Sequence, residues 1–182
     1  MKTFTLPREI VHNKHFEQDR KETLLDLNIK DIDKPLIDVI KQFNELSFCF
    51  TLQCCYGHFL YGSQQDPNNL CALPDFDPGP ITYRTAYIAF CVKDNSEGVM
   101  FCKALQNMQD IDKDYIQFGS ADWFWERQLN SFVLQVEPTE YKYEDRALIN
   151  WEKAIHIDKT RQILFKELKH LLSEEISKVE KG

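Results

Sequence analysis

Two thiols, a glycine and an imidazole stand together at Cys54-Cys55-Tyr56-Gly57-His58, inside a run from Ser47 to Gly62 that is otherwise built for strand. Thiolate and imidazole are zinc ligands, and Cys55-x-x-His58 is a workable chelate spacing. A structural site needs a fourth ligand and usually a second chelating pair. The chain has no Cys-x-x-Cys, and Cys49 and Cys71 would have to be recruited across the bend. No metal is expected on that ground. A second chemistry is nucleophilic, with the Cys55 thiol activated by His58; no orienting carboxylate lies beside them in the sequence. A third is ligand binding, with Thr51, Gln53 and His58 offering hydrogen bonds at a pocket floor. Packed core thiols would carry the same letters. Cys55 and His58 are therefore the candidate catalytic pair. Thr51, Gln53, Cys55, Gly57 and His58 are candidate ligand-binding residues.

A second concentration lies at Trp123-Phe124-Trp125, which holds two of the three tryptophans and is flanked by Asp122, Glu126 and Arg127. Aromatic rings beside a guanidinium can wall a pocket or stack on a planar ring, or simply pack a loop onto a sheet. Trp123 and Arg127 join the ligand-binding candidates. Arg84, Arg127, Arg146 and Arg161 could hold a phosphate or carboxylate, although scattered arginines usually make surface pairs. Glu137, before Pro138, reads as a solvated strand end that could instead face the pocket. His156 reads as structural, and His12 and His15 as solvated.

Elements must position these groups. Phe48, Phe50 and Leu52 alternate with Cys49, Thr51 and Gln53, the period of a half-buried strand. Phe59 and Tyr61 continue it past Gly57, so two short strands with a sharp bend at Cys55–His58 are expected. Glycine there permits a backbone geometry or a closeness of approach that a Cβ would forbid. Upstream, Pro7 opens an expected helix over Arg8–Leu27 with a narrow apolar stripe. Asp31 or Asp33 caps the next, with Pro35 in its first turn and a good 3.6 period from Leu36 to Leu46.

Downstream, the Pro-, Asp- and Asn-rich stretch Gly62–Pro80 is long for a connection, as binding loops and lids are. Thr85–Val92 reads as a strand buried on both faces. Ser96 caps a helix through Met108, Tyr115–Phe118 and Ser131–Val136 read as strands, and Asp145 starts a long C-terminal helix. The order predicts a single α+β (or α/β) domain over residues 1–182, with helices covering a mixed sheet.

The 182 residues are 43% hydrophobic and 13% aromatic, enough for a sizeable core. Acidic residues outnumber basic ones 29 to 22, a formal charge of -7, which argues against a broad nucleic-acid-binding surface. No apolar run approaches a membrane span, and the first residues lack a signal peptide's apolar middle. Six cysteines in that setting point to a reducing compartment, so the expected location is the cytoplasm and the thiols are expected free.

Phe16, Arg20-Lys21, Asn44 and Thr51-Leu-Gln-Cys-Cys-Tyr-Gly-His58 together resemble the third wybutosine-synthesis protein family, tRNA-modifying methyltransferases. Its members carry a helix with Arg-Lys, a helix ending in Asn, then Thr-Thr-Ser-Ser-Cys-Ser-Gly-Arg on a strand. Thr51, Cys55 and Gly57 match that motif; Leu52, Gln53, Cys54, Tyr56 and His58 do not. Residue matches cover the first third of the chain. The later strand-helix-strand from Tyr87 to Phe118 is similar in order only. The resemblance implies methyl transfer from S-adenosylmethionine to a tRNA nucleoside, with the acidic balance set against whole tRNA as partner. The alternative is a non-catalytic small-ligand-binding or protein-interaction module, with the long C-terminal helix as an oligomer surface.

Overall fold

The computed structural model describes residues 4–141 and 144–181. In chain order the elements are β1 (Phe4–Thr5), α1 (Phe16–Asp26), α2 (Ile37–Glu45), β2 (Cys49–Cys55), β3 (His58–Leu60), β4 (Ile81–Arg84) and β5 (Ala86–Val92). Then follow α3 (Ser96–Asn107), β6 (Ile116–Ala121), α4 (Asp122–Trp125), β7 (Ser131–Val136), β8 (Arg146–Ile149) and α5 (Trp151–Lys181). The architecture is single-domain α+β with a long C-terminal helix. Two sheets form, ordered β1-β6-β7-β5-β2 and β3-β4-β8. Every pairing among the described strands is antiparallel, so the expected mixed sheet is corrected to two antiparallel ones.

One long hairpin joins the sheets. Its arms run through β2–β3 and β4–β5, and both arms bend at the same level. Cys55 pairs with Tyr87 in the larger sheet, and three residues on His58 pairs with Arg84 in the smaller. The expected bend is therefore present, but β2 and β3 pair with different sheets rather than with each other. Gly57 makes the turn at φ +89°, and a Cβ there would lie 2.8 Å from the Ala86 Cβ and 3.1 Å from the Tyr83 ring. Both reasons for a glycine, handedness and close approach, apply at this one residue.

The inner faces of both sheets share one apolar core. Phe90, Ile88 and Val92 of the larger sheet meet Phe59, Tyr83 and Ile81 of the smaller, with α2, α3 and α5 packed over them. Helix α5 spans about 45 Å and buries Ala154, Ile157, Leu164, Leu168 and Leu172. It is a core element, and the oligomer surface proposed for it is reduced to its outer side, where Ile163 and Val179 are exposed. No helix among the described residues is long and apolar enough to cross a membrane.

A bulge in β2 sets which side chains face outward. The register slips between Thr51 and Gln53, leaving Leu52 without a cross-strand partner. Thr51 faces inward opposite Phe90, and Gln53 then faces outward opposite Ala89, with Cys55 outward opposite Tyr87. An unbroken alternation would have sent Cys54 outward and Cys55 into the core, since one residue of slip exchanges the faces of a strand.

The N-terminal helix starts later than Pro7 suggests. Residues 6–15 lie along the sheet because side chains take their backbone groups: Ser120 Oγ accepts from Arg8 N at 3.0 Å, and Asn130 bonds both N and O of Val11. Helix α1 buries only Phe16, and Arg20 anchors it by donating to the carbonyls of Asn44, Leu46 and Cys49. Asn95, not Ser96, caps α3, accepting from Gly98 N at 2.9 Å. Asp145 precedes the strand β8 and not the C-terminal helix, which begins at Trp151.

Gly57→Ala is expected to cost about 3 kcal/mol, combining a left-handed backbone with an overpacked contact. Gly62→Ala, at φ +49° with nothing within 4 Å of the added Cβ, should cost about 1 kcal/mol. Urea denaturation of the two variants checks the ordering; equal losses would refute the close-packed corner.

Candidate functional site

Two cross-strand rows, one on each sheet, meet at the hairpin corner. On the larger sheet the row is Cys55, Tyr87, Gln135 and Gln117, in direct register. On the smaller sheet it is His58, Arg84 and Arg146. All of these except Gln117 line a cleft of about 860 Å³. Its remaining walls include Asp33, Gln53 and Asp145 on one side and Phe4, Trp123 and Phe124 on the other.

The larger sheet's row is held from below. Glu137 is fully buried, so the expectation of a solvated strand end is corrected. Its carboxylate accepts from Thr85 Oγ1 at 2.9 Å and from Gln135 Nε2 at 3.1 Å. Gln135 Nε2 also donates to Gln117 Oε1 at 3.2 Å, and Gln117 Nε2 to the Glu137 carbonyl at 2.8 Å. Thr85 and Gln135, which line the cleft, are thus fixed in orientation by a carboxylate that does not reach it.

At the corner every polar group has a partner. His58 is 3% exposed and sits between Asp33, whose Oδ2 is 3.2 Å from its Nε2, and Asn69, whose carbonyl is 2.5 Å from its Nδ1. A carbonyl can only accept, so Nδ1 carries a hydrogen and Nε2 is the nitrogen turned to Asp33 and Cys55. Tyr56 N donates to the same Asp33 oxygen at 2.8 Å, and Gly57 N to Cys55 Sγ at 3.4 Å. The Asp33 carboxylate, and after it the Cys55 side chain, raise His58 to about pKa 10 against the opposing effect of burial. Burial works to raise Asp33, but the bonds from His58 and the Tyr56 N–H outweigh it and hold the carboxyl below its ordinary value.

Burial pushes Cys54 and Cys102 up to about 12 and raises Cys49 and Cys91 further. All six cysteines are unbonded, and Cys71 is exposed.

Of the ligand-binding candidates named from the sequence, the structure brings Gln53, Cys55, His58 and Trp123 to the cleft, together with the arginines Arg84 and Arg146. Thr51 is not there. It is buried against the core, where its N and Oγ1 bond the Asn44 side chain. Gly57 shapes the corner and does not line the cleft. Arg127 lies behind the wall, its guanidinium 3.0 Å from the centroid of the Trp123 ring. Arg161 is buried and committed to the fold: it donates to the carbonyls of Tyr56 and Gly57, pairs with Asp158 and stacks on Tyr56. Of the long loop only Asn68 borders the cleft, so the loop flanks the site and supplies Asn69 as a support for His58. His156 pairs with Asp112 and packs on Tyr115, and the exposed His12 pairs with Asp94.

Asp33 is the residue that sequence reasoning missed. It reads as a helix cap, yet its side chain makes no capping bond. The available signal was redundancy: Asp31 and Asp33 precede Pro35, where one cap suffices.

No protein-family model and no curated protein matches this chain. Among solved structures it is similar to the PH1069 protein from Pyrococcus horikoshii, at 15% identity and TM-score 0.48, covering 90% of this chain and 96% of that one. A second structure, of PH1069 from P. horikoshii OT3, gives 15% identity and TM-score 0.46, covering 93% and 95%.

Two outcomes follow from the corner. Because folded His58 holds its proton more tightly than the unfolded side chain, its contribution is complete below about pH 6.5 and is lost as pH rises toward 10. The amount at stake is on the order of 4 kcal/mol. Urea stability of the native chain should therefore fall from pH 6.5 to 10 more steeply than that of His58→Gln; parallel slopes would exclude the charged pair. Iodoacetamide on the native chain should modify Cys71 first and Cys55 ahead of Cys54, with Cys49 and Cys91 protected until unfolding. Mass-resolved labelling reads this order, and Cys91 reacting as fast as Cys55 would contradict it.

Proposed function

We propose that the cleft binds a nucleoside-like small molecule and that the chain is an S-adenosylmethionine-dependent methyltransferase acting on a nucleoside. The observation that carries this reading is the pairing of an aromatic wall, Trp123 and Phe124, with a polar wall holding Asp33, Asp145, Arg84 and Arg146. A planar base stacks on the first kind of surface, and hydroxyls, ammonium and carboxylate groups are bound by the second. Arg84 and Arg146 stand directly opposite each other across β4 and β8. Like charges in that position repel, and an anionic group between them relieves the repulsion.

The residues present fit the cofactor. Asp145 suits its ribose hydroxyls, Arg84 and Arg146 its carboxylate, and Trp123 its adenine. When bound, S-adenosylmethionine supplies an electrophilic methyl group on a sulfonium. The chain's own part is to hold the two molecules together and to exclude water from the corner. The resemblance to the wybutosine-synthesis methyltransferases supports this reading through residues that act together. Arg20, Asn44 and Thr51 form one hydrogen-bonded group behind the corner that Cys55 and Gly57 make.

A free or modified nucleoside suits the acidic chain better than whole tRNA, since a formal charge of -7 repels a phosphate backbone. Six free thiols suit the reducing cytoplasm.

Calorimetry with S-adenosylmethionine and with its demethylated product tests the proposal. Micromolar binding is expected, weakened about 10-fold or more by Arg146→Ala and by Trp123→Ala. No heat at millimolar ligand removes the methyltransferase reading. Nucleoside binding without cofactor binding assigns the cleft to a non-catalytic ligand-binding module.

A further inference from the structure

The corner gathers three different donor atoms that the sequence keeps apart. Asp33 comes from the segment before α2, Cys55 from the end of β2 and His58 from the start of β3. One carboxylate oxygen, the Cys55 sulfur and one His58 nitrogen all lie within 4.8 Å of one another. We propose that Asp33, Cys55 and His58 bind a zinc ion, with its remaining coordination position open to the cleft.

The spacing fits. The Asp33 Oδ2 to His58 Nε2 separation is 3.2 Å. Zinc bonds of about 2.0–2.1 Å in a tetrahedron set nitrogen and oxygen ligands about 3.3 Å apart. The donor set of sulfur, nitrogen and oxygen suits a borderline ion such as zinc better than magnesium or calcium, which take oxygen alone. Three protein donors facing a cleft match the arrangement of sites that keep one position for water or substrate.

Each donor also carries the supporting bond that metal ligands use. His58 gives its Nδ1 hydrogen to the Asn69 carbonyl, which turns Nε2 toward the other two donors. The Asp33 carboxylate is steadied by Tyr56 N–H and the Cys55 sulfur by Gly57 N–H. Such outer bonds orient ligands and are worth 10- to 100-fold in metal affinity in known sites. The supports themselves are rigid, because Gly57 has no room for a Cβ and Arg161 holds its carbonyl.

The expectation of no metal rested on the missing second chelating pair. Asp33, 22 residues before Cys55, supplies the third donor without one. This inference does not rest on methyl transfer, since metal binding reads the three donors and ligand calorimetry reads the cleft walls.

The test uses the reduced full chain, stripped with chelator and titrated with cobalt(II) and then zinc(II). One ion per chain is expected, with a thiolate-to-cobalt charge-transfer band that zinc abolishes. Cys55→Ser should remove the band, and Asp33→Asn and His58→Gln should each weaken binding at least 10-fold, with far-UV circular dichroism confirming the fold. Cys71→Ser should leave binding unchanged. Failure to take up either ion at several-fold molar excess would overturn the proposal, as would an unchanged cobalt spectrum in Cys55→Ser. If His58→Gln does not fold, the near-isosteric Cys55→Ser variant alone decides.

Discussion

The structure depends on how two peptide units, Tyr56–Gly57 and Gly57–His58, are held while the chain leaves one sheet for another. A turn between sheets exposes backbone groups that no ladder can satisfy, and in a buried setting each unmet group costs about 1–3 kcal/mol. Here side chains meet four of them. Asp33 accepts from Tyr56 N, the Cys55 sulfur accepts from Gly57 N, and Arg161 donates to both following carbonyls. Arg161 comes from the first half of α5, whose apolar face fills the core beneath. The long helix and the corner are therefore coupled: the helix cannot dock without bringing the guanidinium that completes the turn.

The same corner decides what reaches the cleft. Satisfying its backbone requires a carboxylate, a thiol and a guanidinium in close quarters, and the first two keep capacity to spare. A structural need thus leaves reactive groups at the edge of an open space. The second arm of the hairpin matters equally, because Tyr83 braces both. Its hydroxyl accepts from Ala86 N and donates to the Val136 carbonyl, while its ring packs on Phe59.

Much of this was legible in the sequence. The Gly57 bend, α2, α3, β7 and the long helix announce themselves by period and punctuation. The strands β1, β4 and β8 do not. They have two to four residues each, too few for alternation to stand out. The bulge at Leu52 left no mark either, since Phe50, Leu52 and Cys54 alternate as well as any regular strand. That one unpaired residue determines that Gln53 and Cys55 face outward. Residues 6–15 failed as a helix for a tertiary reason: Ser120 and Asn130, over a hundred positions away, claim their backbone. Asp33 was misread because a cap and a ligand use the same side chain. Only the partner's position distinguishes the two.

Both arms of the hairpin cross between sheets at one level, and this gives the cleft a mechanical character. Its floor belongs to the larger sheet and its cationic side to the smaller, and the chain crosses between those two surfaces at that level in both arms of the hairpin. The crossings hold Gln135 and Arg146 on two different surfaces, and the angle between the sheets sets the distance between them. A molecule gripped by both surfaces acts as a splint across that angle. A residue that stiffens the crossings, such as Tyr83 or Arg161, tunes the fit of a ligand it never touches.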